Sequence, residues 1–207
     1  MSQREPNYFD LIIFQTKASC LRLKRIASDI FLLPQCQKWP VTHPLKNGVL
    51  LAESKSILWD EKAPHAEKIL QAGKVHNLRI AAKMLDGCTV PANKQFNFWC
   101  QIGCPTRLKG YVKGRELRQG CIIPTIAGGL CQLSNALYDT ALKAGFTILE
   151  RHAHTQVIPG SMAETGRDAT VFWNYVNLRF SFFKPYIIRV HMTAEELIVQ
   201  LWNSHES

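Results

Sequence analysis

The chain has 207 residues, of which 46% are hydrophobic and 20% are charged, as in an ordinary globular protein. This length is enough for one domain with a real core and an N-terminal extension. The formal net charge of +9 suggests an anionic partner, and the alternative is a solvated basic surface. We expect no nucleic-acid partner, because the basic residues are spread out and accompany neither zinc-finger spacing nor an RNA-binding aromatic motif.

The sequence predicts a protein of a reducing compartment. No stretch approaches the roughly 18 uninterrupted apolar residues of a membrane span, and the polar segment 1–10 does not resemble a signal peptide. The 7 cysteines are an odd number, so at least one has no partner within the chain. We therefore expect free thiols and a cytoplasmic location.

Helices are predicted first along the chain. Residues 1–62 are predicted to form a helical extension whose helix covers 8–33 and ends before Pro34. Residues 63–207 are predicted to form the main domain. Its first helix covers 65–85, where apolar residues keep a helical spacing until an Asp-Gly pair interrupts it.

Strands dominate the rest of the chain. The glycine-rich, basic segment 103–118 predicts a loop or hairpin, and a second long helix is predicted from Leu130 up to Gly145. Strands are expected at 88–90, 147–158, 170–183, 187–192 and 195–202. The pattern predicts an α+β fold in which a largely antiparallel sheet packs on the helix that carries Cys131.

Gly128 and Gly129 lead directly into Cys131 at the start of this helix. A thiol there lies near unpaired N–H groups and the positive end of the helix dipole, which favour the nucleophilic thiolate. The two glycines would let the backbone approach a substrate carbonyl, and backbone N–H groups would form an oxyanion hole. Gln132 would add a donor to the substrate or have a structural role. The alternative for Cys131 is an inert core cysteine.

The candidate bases follow on the next predicted strand. Glu150, His152 and His154 would share one face of that strand, so either histidine is a candidate general base. Asp168 would orient the imidazole, or it is a turn residue. Arg167 would bind a substrate carboxylate, or it forms a structural ion pair. A cysteine helix followed by a histidine strand is the order of papain-like and NlpC-like cysteine enzymes.

A zinc site is the main alternative chemistry. Its ligands would come from a set of cysteines and histidines: Cys100, Cys104, Cys121, Cys131, His152 and His154. The close pair has the spacing C-x3-C instead of the better-attested C-x2-C, and no second close pair exists. We therefore expect no metal and no other cofactor. Ser134, one turn inside the helix, is predicted to be structural.

Several motifs occur in an order that is more specific than any one of them. They are Asn77-Leu78-Arg79-Ile80-Ala81, Phe96-Asn97-Phe98-Trp99, Gly110-Tyr111, Gly128 to Asn135, Glu150 to His154 and Gly166 to Val171. With these motifs, residues 76–202 resemble the VanW family of bacterial cell-wall and vancomycin-resistance-associated proteins. The resemblance implies cysteine acyl transfer of the L,D-transpeptidase type, or peptidase activity, on peptidoglycan stem peptides. It also implies a location in the cell envelope.

Two features complicate this resemblance. Ala127 stands where the family has the first glycine of a Gly-Gly-Gly run, and its methyl group is expected to require a negative φ. The basic segment 103–118, with the aromatic residues Trp99, Tyr111 and Trp173, would also suit a non-catalytic module. Such a module would bind a peptidoglycan-type peptide, a glycan or another anionic wall component without any reaction.

Overall fold

A computed structural model describes residues 8–32, 36–42, 48–118, 121–154 and 162–203. The helices are α1 (Tyr8–Leu32), α2 (His65–Leu85), α3 (Phe98–Ile102) and α4 (Leu130–Lys143). The strands are β1 (Val49–Ile57), β2 (Cys88–Val90), β3 (Gln95–Asn97), β4 (Lys113–Arg118), β5 (Cys121–Ile126), β6 (Thr147–Glu150), β7 (Arg179–Ser181), β8 (Tyr186–Met192) and β9 (Glu196–Asn203). Among the described helices, none combines the length and apolar character needed to cross a membrane.

The fold is α+β with antiparallel sheets, as the sequence predicts. One sheet has the strand order β1-β9-β8-β2, a second has the order β3-β7-β6, and β4 and β5 form a hairpin. Helix α4 packs on β1 and β9. Its apolar face is fully buried at Leu133, Leu137 and Ala141, so the helix that carries Cys131 forms one side of the core.

Helix α2 has the predicted bounds because burial and capping agree at its C-terminal end. Leu85 is fully buried, and the N–H of Asp86 donates to the carbonyl of Ala82 at 2.8 Å. The Asp86 carboxylate accepts a hydrogen bond from Arg189 at 2.6 Å. This contact joins the end of α2 to β8 and fixes how the helix lies across the sheet.

Strand β1 lies inside the region 1–62, for which the sequence pattern predicted only a helix. It pairs with β9 from Val49 to Ile57 with one register shift. Only Ser54 of this strand is buried, so the strand shows little of the alternation by which half-buried strands are recognised. Backbone pairing with β9 therefore determines that this segment is a strand, more than its own sequence pattern does.

Two predicted strands are shorter than expected. Strand β6 ends at Glu150, and residues 151–154 are irregular. The reason is that the N–H of His154 donates to the side chain of Asp168 at 2.6 Å. The end of the predicted strand, residues 155–158, lies outside the described residues. The papain-like order is therefore not confirmed, since His152 and His154 do not share a strand face.

The predicted strand 170–183 is also interrupted. Phe172 and Val176 exchange two backbone hydrogen bonds of 2.9 and 3.0 Å across a tight turn. A chain that turns back on itself there cannot continue an extended ladder. Only β7 remains of this segment, and it pairs with both β3 and β6.

The expectation of free thiols is wrong for Cys36 and Cys100, which form a disulfide with a Cα–Cα distance of 5.5 Å. Trp39 and Gln101 hold the two segments together: Trp39 N–H donates to Gln101 at 2.9 Å, and Gln101 donates back to the Trp39 carbonyl at 3.1 Å. Cys100 is therefore not available to pair with Cys104 as a metal ligand. The prediction of a reducing compartment rested on free thiols, so this disulfide removes its main argument.

Loss of this disulfide is expected to destabilise the fold. The bond joins residues 64 positions apart, so Cys100→Ser should lower the free energy of unfolding by about 2–4 kcal/mol under oxidising conditions. Urea denaturation with and without reductant measures the effect. The exposed free thiol Cys20 provides the control, since Cys20→Ser should change nothing. If reductant did not change the unfolding midpoint of the wild-type protein, this result would contradict the Cys36–Cys100 disulfide.

Candidate active site

The turn that precedes α4 needs glycine because other backbone lies against it. A Cβ added at Gly128 would overlap the carbonyl oxygen of Gly114 in β4. One added at Gly129, the N-cap residue with φ 102°, would overlap the Cγ of Lys74 in α2. The sequence suggested that these glycines admit a substrate. Both of them make room for contacts within the protein, and their role towards a substrate stays a prediction.

Ala127 has φ 62°, so the expectation of a negative φ is wrong. The left-handed conformation costs a residue with a Cβ about 1–2 kcal/mol. Hydrogen bonds hold the backbone in place: Ala127 N–H donates to the Val112 carbonyl at 3.0 Å, and Gly128 N–H donates to Thr125 at 3.0 Å. Closure of the turn onto the β4–β5 hairpin compensates for this local strain.

Cys131 is the second residue of α4, and it is partly buried. Its Sγ lies 3.6 Å from the hydroxyl of Thr170 and 3.7 Å from the carbonyl oxygen of Val171. Among the described residues, no acceptor bonds the N–H groups of Leu130 and Cys131, as expected for the first turn of a helix. These two groups are therefore unpaired donors, one on the residue that carries the sulfur and one on the residue before it.

Asp168 anchors the other side of the site. It is 1% exposed, and one carboxylate oxygen accepts from both the backbone N–H of His154 at 2.6 Å and the ring Nδ1 at 2.7 Å. Arg151 donates to the other oxygen at 2.6 Å. Burial alone would raise the pKa of Asp168, but the His154 hydrogen bonds and the Arg151 charge outweigh it and lower that pKa.

His154 connects Asp168 to Cys131. Its interaction with the Cys131 side chain is the largest cause of its raised pKa; burial opposes this effect, and the hydrogen bond and charge of Asp168 reinforce it. Since Nδ1 is bonded to Asp168, Nε2 is the ring nitrogen left for the sulfur. The structure thus holds the His154 ring on Asp168 by a hydrogen bond and brings it within electrostatic reach of the Cys131 sulfur.

His152 lies elsewhere. Its ring is exposed, and its Nε2 is 3.4 Å from Glu150. Glu150 also binds Arg25 of α1 at 3.0 Å and Arg179 of β7 at 3.3 Å. This group ties α1 to the second sheet, so of the two candidate bases only His154 is placed beside Cys131.

Two predicted substrate-binding residues have partners within the protein. Arg167 pairs with the buried Asp139 of α4. The side-chain amide of Gln132 donates to the hydroxyl of Ser56 and the carbonyl of Ile57, both at 2.9 Å. Gln132 therefore joins α4 to the end of β1. Both contacts agree with the structural alternatives for these two side chains.

Residues outside the predicted catalytic and substrate-binding set hold segment 166–171 in place. The side-chain oxygen of Asn135 accepts from Ala169 N–H at 2.7 Å, and Ser134, predicted to be structural, donates to the Ala169 carbonyl. Arg151 donates to the backbone carbonyl of Asp168 at 2.6 Å. All three lie within three residues of a predicted site residue in their motifs. That adjacency was the available signal, but their partners are distant in sequence.

The aromatic residues of the binding-module alternative do not form an exposed platform. Trp99 and Tyr111 are 6% and 2% exposed and belong to the core. Trp173 packs edge-on against Trp99 with ring centroids 5.4 Å apart. Among the side chains that the structure describes, no group of at least three His, Cys, Asp or Glu residues is arranged to hold a metal ion.

Comparison with known proteins agrees with these motifs. The family described as "VanW like protein" matches residues 73–202, more than half of the chain. The chain belongs to the VanW family. This confirms the resemblance that the sequence motifs indicated.

Two curated relatives are similar to this chain over about the same length. The uncharacterized protein YoaR of Bacillus subtilis is 34% identical over 131 residues, which are 62% of this chain and 43% of the relative. Vancomycin B-type resistance protein VanW of Enterococcus faecalis is 30% identical over 133 residues, which are 63% of this chain and 48% of the relative. The chain therefore spans less than half the length of either relative. No solved structure matches it.

The close approach at Gly128 gives a test of the turn. Gly128→Ala should lower the free energy of unfolding by about 3 kcal/mol, because a methyl group would displace the Gly114 carbonyl. Gly166→Ala is the matched control: its φ is +66° but nothing lies within 4 Å, so about 1 kcal/mol is expected. Urea denaturation of both variants measures the difference. Equal losses would show that Gly128 is not closely packed.

The raised pKa of His154 predicts a pH dependence of stability. Because the folded pKa lies above the ordinary value of 6.5, protonation of His154 stabilises the fold fully below about pH 6.5. This contribution is lost as the pH rises through the folded pKa. We therefore expect the difference in free energy of unfolding between wild type and His154→Gln to become smaller as the pH rises. Denaturation experiments at a series of pH values from pH 5 upward measure this difference. His152→Gln is the control for loss of a neighbouring imidazole. An advantage that grows with pH would contradict the raised pKa.

Proposed function

We propose that this VanW-family protein uses Cys131 as the nucleophile of an acyl transfer on peptidoglycan stem peptides. The observation that supports the proposal is the set of Cys131, His154 and Asp168, in which Asp168 holds the His154 ring by a hydrogen bond and His154 interacts electrostatically with the Cys131 side chain. A thiol with an imidazole beside it, and a carboxylate that holds the imidazole, is the general arrangement of an activated cysteine. The VanW relative carries vancomycin resistance in its name, which directs the choice of substrate towards the cell wall.

In the first half of the proposed reaction, the Cys131 thiolate attacks the carbonyl carbon of a peptide bond. The carbonyl oxygen gains the negative charge, and the N–H groups of Leu130 and Cys131 are available to stabilise it. Protonated His154 gives its proton to the leaving amine as the carbon–nitrogen bond breaks. The acyl group then remains on Cys131 as a thioester, and His154 is neutral.

In the second half, an amine or a water molecule attacks the thioester carbon. His154 takes the proton of the attacking group, and the carbon–sulfur bond breaks to restore the thiolate. An amine gives a new cross-link, whereas water gives hydrolysis. Asp168 keeps Nδ1 of His154 occupied throughout, so that Nε2 exchanges protons with the substrate.

Substitution at three positions tests the proposal. Cys131→Ala should abolish turnover, because no other group there forms the thioester, and His154→Ala should slow acylation roughly a hundredfold or more. His152→Ala and Cys104→Ala are matched controls that should keep most activity, since neither side chain contacts the set. The measurement is incubation with tetrapeptide-containing muropeptides, followed by mass spectrometry of cross-linked dimers, cleaved peptides and the acyl-enzyme.

Two outcomes would overturn this function. Turnover by Cys131→Ala at the wild-type rate would exclude the cysteine as nucleophile. Tight binding of the muropeptide by wild type and Cys131→Ala without any product would instead indicate a non-catalytic wall-binding module.

A further inference from the structure

The hydroxyl group of Thr170 lies 3.6 Å from the Cys131 sulfur, which is within hydrogen-bond distance for a sulfur atom. In the proposed acyl transfer, His154 moves the proton and Asp168 orients the His154 ring. No step of that reaction uses Thr170, although its side chain contacts the nucleophile directly. This contact therefore requires an explanation of its own.

Hydrogen bonds fix the backbone that carries this hydroxyl group. The N–H of Thr170 donates to the carbonyl of His152 at 2.8 Å. The preceding residue, Ala169, donates its N–H to Asn135 at 2.7 Å. Because Asn135 lies one turn after Cys131 on α4, the threonine is held against the same helix that carries the sulfur. The contact between the hydroxyl group and the sulfur is thus supported from two elements.

The segment that contains Thr170 also positions the imidazole. Asp168 and Thr170 are two positions apart in the sequence. The Asp168 carboxylate accepts from the ring of His154 at 2.7 Å, whereas the Thr170 hydroxyl contacts the sulfur of Cys131. One short segment therefore holds both the imidazole and the sulfur of the candidate active site.

The direction of the hydrogen bond follows from the protons that are available. In the thiol form, the S–H group of Cys131 donates to the carbonyl of Val171 at 3.7 Å, which leaves the Thr170 hydroxyl to donate to the sulfur. In the thiolate form, the sulfur can only accept. A hydrogen bond to an ionised acceptor is stronger than one to a neutral acceptor, so the Thr170 contact favours the thiolate. The Val171 carbonyl has the opposite effect, because ionisation removes its donor.

We propose that Thr170 is a further catalytic residue, whose hydroxyl group donates a hydrogen bond to the Cys131 thiolate and so stabilises the nucleophile. The inference rests on the proposed function, to which it adds how the charge on the sulfur is held. Thr170 keeps its own proton throughout, while His154 exchanges protons with the substrate. The bond weakens when the sulfur becomes part of the neutral thioester. It strengthens again as the carbon–sulfur bond breaks, because the departing sulfur regains its charge.

Alkylation by iodoacetamide tests this role without any turnover. The thiolate displaces iodide, so that a carbon–sulfur bond forms as the carbon–iodine bond breaks, and the rate follows the fraction of thiolate. The rate at Cys131 is measured by peptide mass spectrometry at a series of pH values from about 4 to about 10. The free thiol Cys104 of the same protein is the internal reference for the reagent.

Thr170→Val replaces the hydroxyl by a methyl group of similar size. It should move the midpoint of the pH–rate profile at Cys131 upward by about one pH unit, the effect of one lost hydrogen bond to a charge. The rate at high pH should stay equal or rise slightly, since a more basic thiolate is more nucleophilic. Thr170→Ser keeps the hydroxyl and should restore the wild-type midpoint. Thr170→Ala is a second variant without the hydroxyl, in case Thr170→Val does not fold, which thermal unfolding reveals.

Thr165→Val is the matched control. This threonine lies in the same part of the chain but is exposed, and its hydroxyl donates to the Met162 carbonyl at 3.1 Å. Its substitution should leave the profile at Cys131 unchanged.

Three results would overturn the inference. The midpoint could stay the same in every folded variant that lacks the Thr170 hydroxyl. It could move to lower pH, which would show that the hydroxyl accepts from the thiol. The rate could also fall equally at all pH values without rescue by Thr170→Ser, as expected for a purely structural role. Failure of the proposed function is a different observation, namely absence of muropeptide turnover while the midpoint still depends on Thr170.

Discussion

The buried carboxylate of Asp168 is the constraint on which the site depends. A carboxylate that is 1% exposed remains charged only if donors replace the water it has lost. Those donors come from Arg151 and from the backbone and ring of His154. The need to satisfy one side chain therefore ends strand β6, bends the chain after it and orients the imidazole. Asp168 thus fixes both the backbone and the ring of His154.

The second constraint is steric and acts at the Gly128–Gly129 turn. Asn77, fully buried on α2, donates to the carbonyls of Val112 and Gly128 and accepts from Val112 N–H. One amide side chain thus joins α2, the entry to β4 and the turn before α4. The position of Cys131 is set by this contact from one side and by the Asp168 network from the other.

The disulfide changes how the N-terminal region relates to the rest of the protein. Cys36 is covalently joined to Cys100 of α3, while β1 pairs with β9 and Arg25 of α1 binds Glu150. Three different kinds of interaction thus connect residues 8–57 to the region that the VanW family shares. Oxidation state and stability are coupled in this protein, because one of these three connections is a bond that reductants break.

The sequence by itself determined the local features: the bounds of α2, the start of α4 at a glycine pair, the α+β class and the family motifs. The helix bounds follow from local spacing and capping, whereas the fold class and the family follow from the order of elements and motifs along the chain. Only the tertiary structure separated His154 from His152, paired Arg167 with Asp139, joined Cys36 to Cys100 and placed Lys74 at Gly129. Contacts between segments that are distant in sequence decide these four features. Asp168 is the clearest example. The need of a buried charge for hydrogen-bond donors is visible only when the chain is folded around it.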